Sequence, residues 1–184
     1  MPVYISMLRG INVGLHNRIK MDALRTLYES LKLEDPRTYV QSGNVIFRTK
    51  EKNTVKIAAQ IQNAIEKKLG CSPTVILRTT AEMKKAITAN PFANRRDIVP
   101  GKLLVTFLAA EPASDAQFAL DKFKDYPEEI HLMGRELYIY FPNGAGKSKL
   151  PWSQVERLIK VTGTARNWNS VTKMCEMAEA LENE

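Results

Sequence analysis

The sequence predicts an α+β fold built as a tandem duplication of a ferredoxin-like βαββαβ unit, each copy followed by a helix. Three observations predict it. The order strand, helix, strand, hairpin, strand, helix, strand runs through residues 3–79 and again through residues 102–169. A helix follows the fourth strand in both halves, which makes chance similarity between them harder to sustain. An irregular connector marked by Asn90-Pro91 and Val99-Pro100-Gly101 separates the halves. Two domains are therefore expected, residues 1–92 and 93–184.

Val3 to Leu8 is a short apolar run with the content of a buried strand. After a loop from Arg9 to Lys20, the residues Met21, Leu24, Leu27, Tyr28 and Leu31 recur at helical spacing and predict a helix over Met21 to Leu33. Thr38 to Gln41 and Asn44 to Phe47 flank Ser42-Gly43, where the glycine suits a hairpin turn. Val55, Ile57, Ala58, Ile61, Ile65 and Leu69 form the stripe of a second helix that Gly70 stops, and Thr74 to Leu77 closes the unit. A linking helix starts near Thr80 and runs toward Asn90. In the second unit Leu103 to Ala109 is a strand, and Ser114 to Tyr126 is a helix carrying Phe118, Leu120 and Phe123. Ile130 to Met133 and Glu136 to Phe141 form a hairpin turned at Gly134-Arg135. Pro151 to Val161 is a helix, Thr164 to Asn167 the last strand, and Val171 to Leu181 a closing helix with Met174, Met177, Ala178 and Leu181 on one side.

With 184 residues and 44% hydrophobic content the chain carries enough apolar surface for a real core, so disorder is not the expected state. No apolar run approaches the roughly 18 residues a membrane span needs, and the chain opens on a strand rather than a signal-like segment. A cytoplasmic protein with no membrane partner is expected. Cys71 and Cys175 form neither a disulfide framework nor a metal-binding spacing, and with two histidines and no paired-carboxylate motif neither a metal nor a cofactor is expected.

The net charge of +7 is uneven along the chain. Residues 1–90 hold 15 Lys+Arg against 7 Asp+Glu, whereas residues 91–184 hold 12 against 13. A basic half is either a surface for a polyanion such as RNA or DNA or a solvated lysine-rich helix face.

Topology narrows where chemistry can sit. In a βαββαβ sheet the first and second strands run parallel, so the loop after strand one and the hairpin after strand two emerge at one edge. That places Arg9, Asn12, Arg18 and Lys20 beside Ser42 and Asn44. In the second unit the same logic brings Lys147, Ser148 and Lys149 to the end of the strand carrying Arg166, Asn167 and Trp168. Both groups are rich in hydrogen-bond donors and poor in carboxylates, the residue types that receive an anion rather than those that move protons. No catalytic residue is identified, because His16 falls in a glycine-bounded loop and His131 in a strand. Gly144-Ala145-Gly146-Lys147-Ser148 suggests a phosphate loop, but the full pattern needs glycine where Phe141 stands. An anion nest, or a tight turn whose Ser148 caps the next helix, are the remaining readings. RRM domains share the βαββαβ order, yet only Tyr4 matches their aromatic positions, and Trp168 could stack a base or anchor the terminal helix.

Taken together, Leu8-Arg9-Gly10-Ile11-Asn12-Val13-Gly14, Lys20-Met21, Gln41-Ser42-Gly43-Asn44-Val45, Ser148-Lys149-Leu150 and Arg166-Asn167-Trp168-Asn169 resemble the bacterial family known as domain of unknown function 1697. The resemblance spans nearly the whole chain and implies a small cytoplasmic protein with a duplicated α+β fold. It implies no activity, substrate or catalytic residue. Leu15-His16-Asn17 departs from the small residues expected after Gly14. The expected function is a binding module for a phosphate-bearing anion at the donor-rich loops. An RNA- or DNA-binding protein using the basic half is the second reading, and an enzyme acting on a phosphorylated small molecule the third.

Overall fold

The computed structural model describes residues 1–14 and 18–184; the reading of His16 lies outside them. Eight strands and six α-helices are found among the described residues. In the first half they are β1 (Val3–Arg9), α1 (Met21–Ser30), β2 (Glu34–Tyr39), β3 (Asn44–Arg48), α2 (Thr54–Leu69), β4 (Thr74–Thr79) and α3 (Thr80–Thr88). In the second they are β5 (Leu103–Leu108), α4 (Ala116–Leu120), β6 (Glu129–Met133), β7 (Glu136–Tyr140), α5 (Trp152–Ile159), β8 (Gly163–Asn167) and α6 (Trp168–Glu182).

The strands make two four-stranded antiparallel sheets, ordered β2-β3-β1-β4 and β6-β7-β5-β8. The orders correspond position for position. Two compact units contain them: Met1–Lys84 with Lys173–Glu184, and Lys85–Thr172. This grouping differs from an even division at residue 92, because the end of α6 is counted with the first unit. There Arg48 donates to the Leu181 carbonyl, and Arg37 binds Glu184 through a pair of hydrogen bonds.

Within the first unit, α1 and α2 lay their apolar stripes on one face of the sheet. Tyr4, Leu8, Val45, Phe47, Val75 and Leu77 meet Leu24, Leu27, Tyr28, Ile57, Ile61 and Ile65 in one buried core. Phe47 stacks on Tyr4 at 6.0 Å and meets Tyr28 edge-on at 5.4 Å. Asn53 caps α2 by accepting from the Lys56 N–H at 3.1 Å, and Gly70 ends it in the left-handed region. Val55, assigned to the stripe of α2, is instead 77% exposed. It lies two positions before the inward Ile57, on the opposite side of the helix.

The second unit repeats the layering with Leu108, Leu137, Ile139 and Phe141 against Leu120, Phe123, Val155 and Ile159. The expected helix over Ser114 to Tyr126 is only five residues long and tightens into a 3₁₀ turn at Asp121–Phe123. Ala116, Leu120 and Phe123 are buried, which leaves Phe118, two positions before Leu120, 82% exposed. The closing helix starts three residues earlier than expected, because Asn167 acts as its cap and accepts from the Ser170 N–H at 2.8 Å.

Strand β2 begins at Glu34, although Asp35-Pro36 reads as a strand breaker. It is an edge strand with a register shift between Glu34 and Arg37, the setting in which proline is tolerated. The hairpin turn is Val40 to Gly43 rather than Ser42-Gly43 alone, with Val40 at φ +49°. Gly43 is held to glycine twice over. Its φ is +77°, and a Cβ there would sit 2.4 Å from Ile11 Cδ1 and 3.0 Å from Leu8 Cβ.

Tyr28 is fully buried and its hydroxyl shares a 2.7 Å hydrogen bond with Ser6 Oγ. Burial moves its ionisation well above the ordinary tyrosine value of 10. An unfolded chain loses this proton near pH 10 while the folded chain keeps it, so the unfolded state binds fewer protons and stability falls as pH rises above about 10. Urea unfolding between pH 9 and 11 checks this: the Tyr28→Phe variant is expected to show a shallower decline than the wild type.

Candidate functional site

The first donor group sits where the sheet directions require. Asn12, at φ +52°, is the knot of the loop. Its side-chain amide donates to the carbonyls of Gln41 at 2.7 Å and Ile19 at 3.1 Å, and its Oδ1 accepts from the Ile19 N–H at 2.7 Å. One asparagine thus ties both ends of the loop after β1 to the β2–β3 hairpin. Asn12→Ala removes all three bonds from a partly buried site and is expected to cost about 1–2 kcal/mol, read as a lower urea midpoint in chemical denaturation.

Asn44 is buried and performs a similar task inside the hairpin. It donates to the Tyr39 carbonyl at 3.1 Å and to Ser42 Oγ at 2.9 Å. Arg9 ends β1 half-buried. Lys20 is different: it is exposed and occupies the N-cap position of α1 with no side chain capping the helix. A cavity of about 660 Å³ opens there, lined by Asn12, Arg18, Lys20 and Gln41 together with Met21 and Asp22 from the first turn of α1. Asp22 pairs with Arg25. Arg18 is exposed like Lys20, so the two cations line the cavity that Asn12 shapes.

The second donor group lies in the other unit. Gly144, at φ +84°, opens a 3₁₀ turn over Ala145–Lys147. The N–H groups of Gly144, Lys147 and Ser148 are spent on carbonyls of Phe141, Gly144 and Ala145, so they are turned into the loop. Ser148 does not cap the next helix: its Oγ accepts from the Leu150 N–H at 3.1 Å, and the N-cap position of α5 is Pro151. The two-residue offset to Leu150 makes a local hydroxyl turn that competes with capping. Lys147 and Lys149 are exposed.

Arg166 is only 7% exposed and donates to Thr164 Oγ1 at 2.7 Å and to the Ala165 carbonyl at 2.8 Å. Desolvation holds its guanidinium down to about 10, still protonated at neutral pH. Asn167 is engaged as the cap of α6, and Trp168 is the half-buried first residue of that helix. Arg78, which sequence reasoning passed over, is the counterpart of Arg166. Arg78 pairs with Ile5 and Arg166 with Val105, the third residues of β1 and β5, and both guanidinium groups are buried. Each is followed by a helix cap, since Thr79 and Glu82 bond reciprocally at the start of α3. The signal was present as Arg78-Thr79 and Arg166-Asn167, each placed immediately before a helix.

The basic bias of the first half does not carry over to the compact units. Met1–Lys84 with Lys173–Glu184 holds 15 Lys+Arg against 11 Asp+Glu, and Lys85–Thr172 holds 12 against 9, giving +4 and +3. Glu176, Glu179 and Glu182 of α6 and the following Glu184 account for the change, and Lys84–Glu179 is one of the resulting ion pairs. Tyr4 is buried in the helix-covered core, stacked on Phe47. His131 is exposed and meets Phe92 edge-on at 5.2 Å. Among the described residues no three His, Cys, Asp or Glu side chains form a metal-holding group, and no helix is long and apolar enough to cross a membrane. Cys71 and Cys175 are free thiols.

A solved structure of a conserved bacterial protein from Streptococcus pneumoniae shares the fold, with a TM-score of 0.68 at 19% identity over 97% of this chain and 99% of that one. No curated protein matches. The model of a family described as protein of unknown function, DUF1697, matches residues 1–138, and the chain belongs to that family.

Proposed function

We propose that this protein is a binding module for a phosphate-bearing anion, received at the start of α1. The observation that carries the reading is the 660 Å³ cavity, which gathers Arg18 and Lys20 around the uncapped N-terminus of a ten-residue helix. The first N–H groups of a helix have no partner within it, and its dipole favours negative charge at that end. Asn12, Ser42 and Asn44 hold the loop and hairpin that frame the cavity, and Arg9 ends the strand beneath them. Asp22 is the one carboxylate among the described lining residues, and its pairing with Arg25 favours binding over turnover.

Lys147 and Lys149 are the exposed cations of the second donor group, in the other unit, where Ser148, Arg166 and Asn167 are engaged in local hydrogen bonds and Trp168 is half-buried. The nearly equal charge of the two units gives a small anion the advantage over RNA or DNA. A ferredoxin-like unit copied once is the architecture we infer, supported by the matching strand orders and by the paired arginines Arg78 and Arg166. A cytoplasmic setting agrees with the two free thiols.

A thermal-shift panel at fixed salt tests the function, with phosphate, sulfate, nucleotides, sugar phosphates and short single-stranded RNA and DNA. A small phosphate-bearing ligand at 100 times its Kd adds about 2.7 kcal/mol and should raise Tm by roughly 5–10 °C. A rise with oligonucleotides alone would replace the reading by nucleic-acid binding.

A further inference from the structure

Strand β6 is one edge of the second sheet, and its pairing leaves a definite set of backbone groups facing outward. In an antiparallel ladder each residue turns its N–H and C=O to the same side, and successive residues alternate sides. The Leu108 N–H donates to the Arg135 carbonyl and the Phe141 N–H to the Lys102 carbonyl, both at 2.9 Å, so the odd-numbered residues along β7 are bonded toward β5 and the even-numbered ones toward β6. Glu129, His131 and Met133, opposite Tyr140, Tyr138 and Glu136, therefore spend their backbone groups on β7. Ile130 and Leu132, opposite Ile139 and Leu137, turn theirs to the outer edge.

One of those groups is covered. The Leu132 N–H donates to Oε1 of Gln117 on α4 at 2.7 Å, and Gln117 Nε2 donates to Asp121 Oδ1 at 3.2 Å, which fixes the end of the amide that faces the strand. The Ile130 N–H has no such cap among the described residues. Strand β2, at the corresponding edge of the first sheet, is protected by other means, Pro36 and the register shift between Glu34 and Arg37. Strand β6 holds no proline and its register is unbroken. Apolar side chains also stand exposed on the two elements that make the contact, Phe118 next to Gln117 and Met133 at the end of β6. An edge of this kind is a template for another strand.

We propose that Gln117 is a lock on a self-pairing edge, which keeps β6 from adding antiparallel to β6 of a second copy of this chain. The register singles out the second copy. Ile130 and Leu132 lie symmetrically about His131, so a twofold axis at His131 sets Ile130 opposite Leu132 of the second copy, and the outward groups of the two exchange N–H···O bonds in both directions. Glu129 then faces Met133 of the second copy rather than another acid. The Leu132 N–H cannot serve Gln117 and a second strand at once, so the contact withholds that donor from both halves of the joint. This edge lies in a different unit from the anion cavity and does not depend on it.

Sedimentation equilibrium of the full chain, together with amide hydrogen exchange followed by NMR, tests the proposal. In the wild type the Leu132 amide, held by Gln117, is expected to exchange about tenfold or more slowly than the Ile130 amide, which faces water. Gln117→Ala should self-associate more tightly than the wild type by about tenfold or more, with the Ile130 and Leu132 amides becoming protected together as concentration rises. Adding Leu132→Pro, which removes the contested donor at an edge position where proline is tolerated, should return the protein to the wild-type mass. Where Gln117→Ala fails to fold, the exchange comparison on the unaltered protein still tests the lock. Equal protection of Ile130 and Leu132 in the wild type, a folded Gln117→Ala protein that associates no more than the wild type, or association that persists after Leu132→Pro would overturn it.

Discussion

Replacing Phe47 with alanine is expected to destabilise the protein by about 3–5 kcal/mol, the range for removing a fully buried aromatic side chain. Phe47 is completely buried at the centre of the first core, and its ring has faces or edges against both Tyr4 and Tyr28. Ile57, Ile61 and Ile65 of α2 close the same core, so neither helix can follow the truncated side chain without leaving the others. Interiors packed this way relax only partly, which is why the void adds to the lost transfer free energy. The urea midpoint should fall with little change in slope. A loss below about 1.5 kcal/mol would mean that this core collapses around the gap and is looser than its burial indicates.

Arg166→Ala is expected to cost about 2–4 kcal/mol, because it both opens a cavity and strips donors from a buried site. The guanidinium is packed within the second sheet and bonded to Thr164 and Ala165 of its own strand. Its aliphatic stem contributes packing as well as charge. Arg166→Met, which preserves most of the volume and removes the buried charge, should lose less than half as much, as replacement of buried ions by apolar residues often does. Arg78→Ala should behave like Arg166→Ala because it fills the equivalent register position. Lys149→Ala, on an exposed loop, should stay within about 0.5 kcal/mol of wild type. Urea unfolding of the four variants checks the set; equal stability of Arg166→Ala and Lys149→Ala would place Arg166 outside the structural framework.

The order of elements along the chain and the meeting of the first two loops were legible in the sequence, because both follow from hydrophobic period and strand direction. The 2.7 Å bond from Asn12 to Gln41 is the local form of that topological statement. Side-chain employment was less legible. Asn12, Asn44, Ser148 and Asn167 read equally well as ligand donors or as fasteners of loops and caps, and only three-dimensional distances assign them to carbonyls and N–H groups nearby. Arg166 was read as a ligand donor; its burial and its bonds to Thr164 and Ala165 depend on which face of β8 it occupies, which its residue type does not reveal. Phe118 and Val55 looked inward because an apolar residue near a helical stripe is easily counted into it; a five-residue helix and a first-turn position broke the phase. The charge asymmetry was real along the chain and vanished in the units because α6 carries its acids back to the first one.

The anion cavity is tested most directly by titrating inorganic phosphate into wild type and the Arg18→Ala/Lys20→Ala double variant at fixed ionic strength, following backbone amide resonances. Saturable shifts at Met21, Asp22 and Asn12 are expected in the wild type, with affinity lowered by about tenfold or more in the double variant and an unchanged Tm. Equal phosphate affinity in the two proteins, or shifts confined to other parts of the chain, would contradict it.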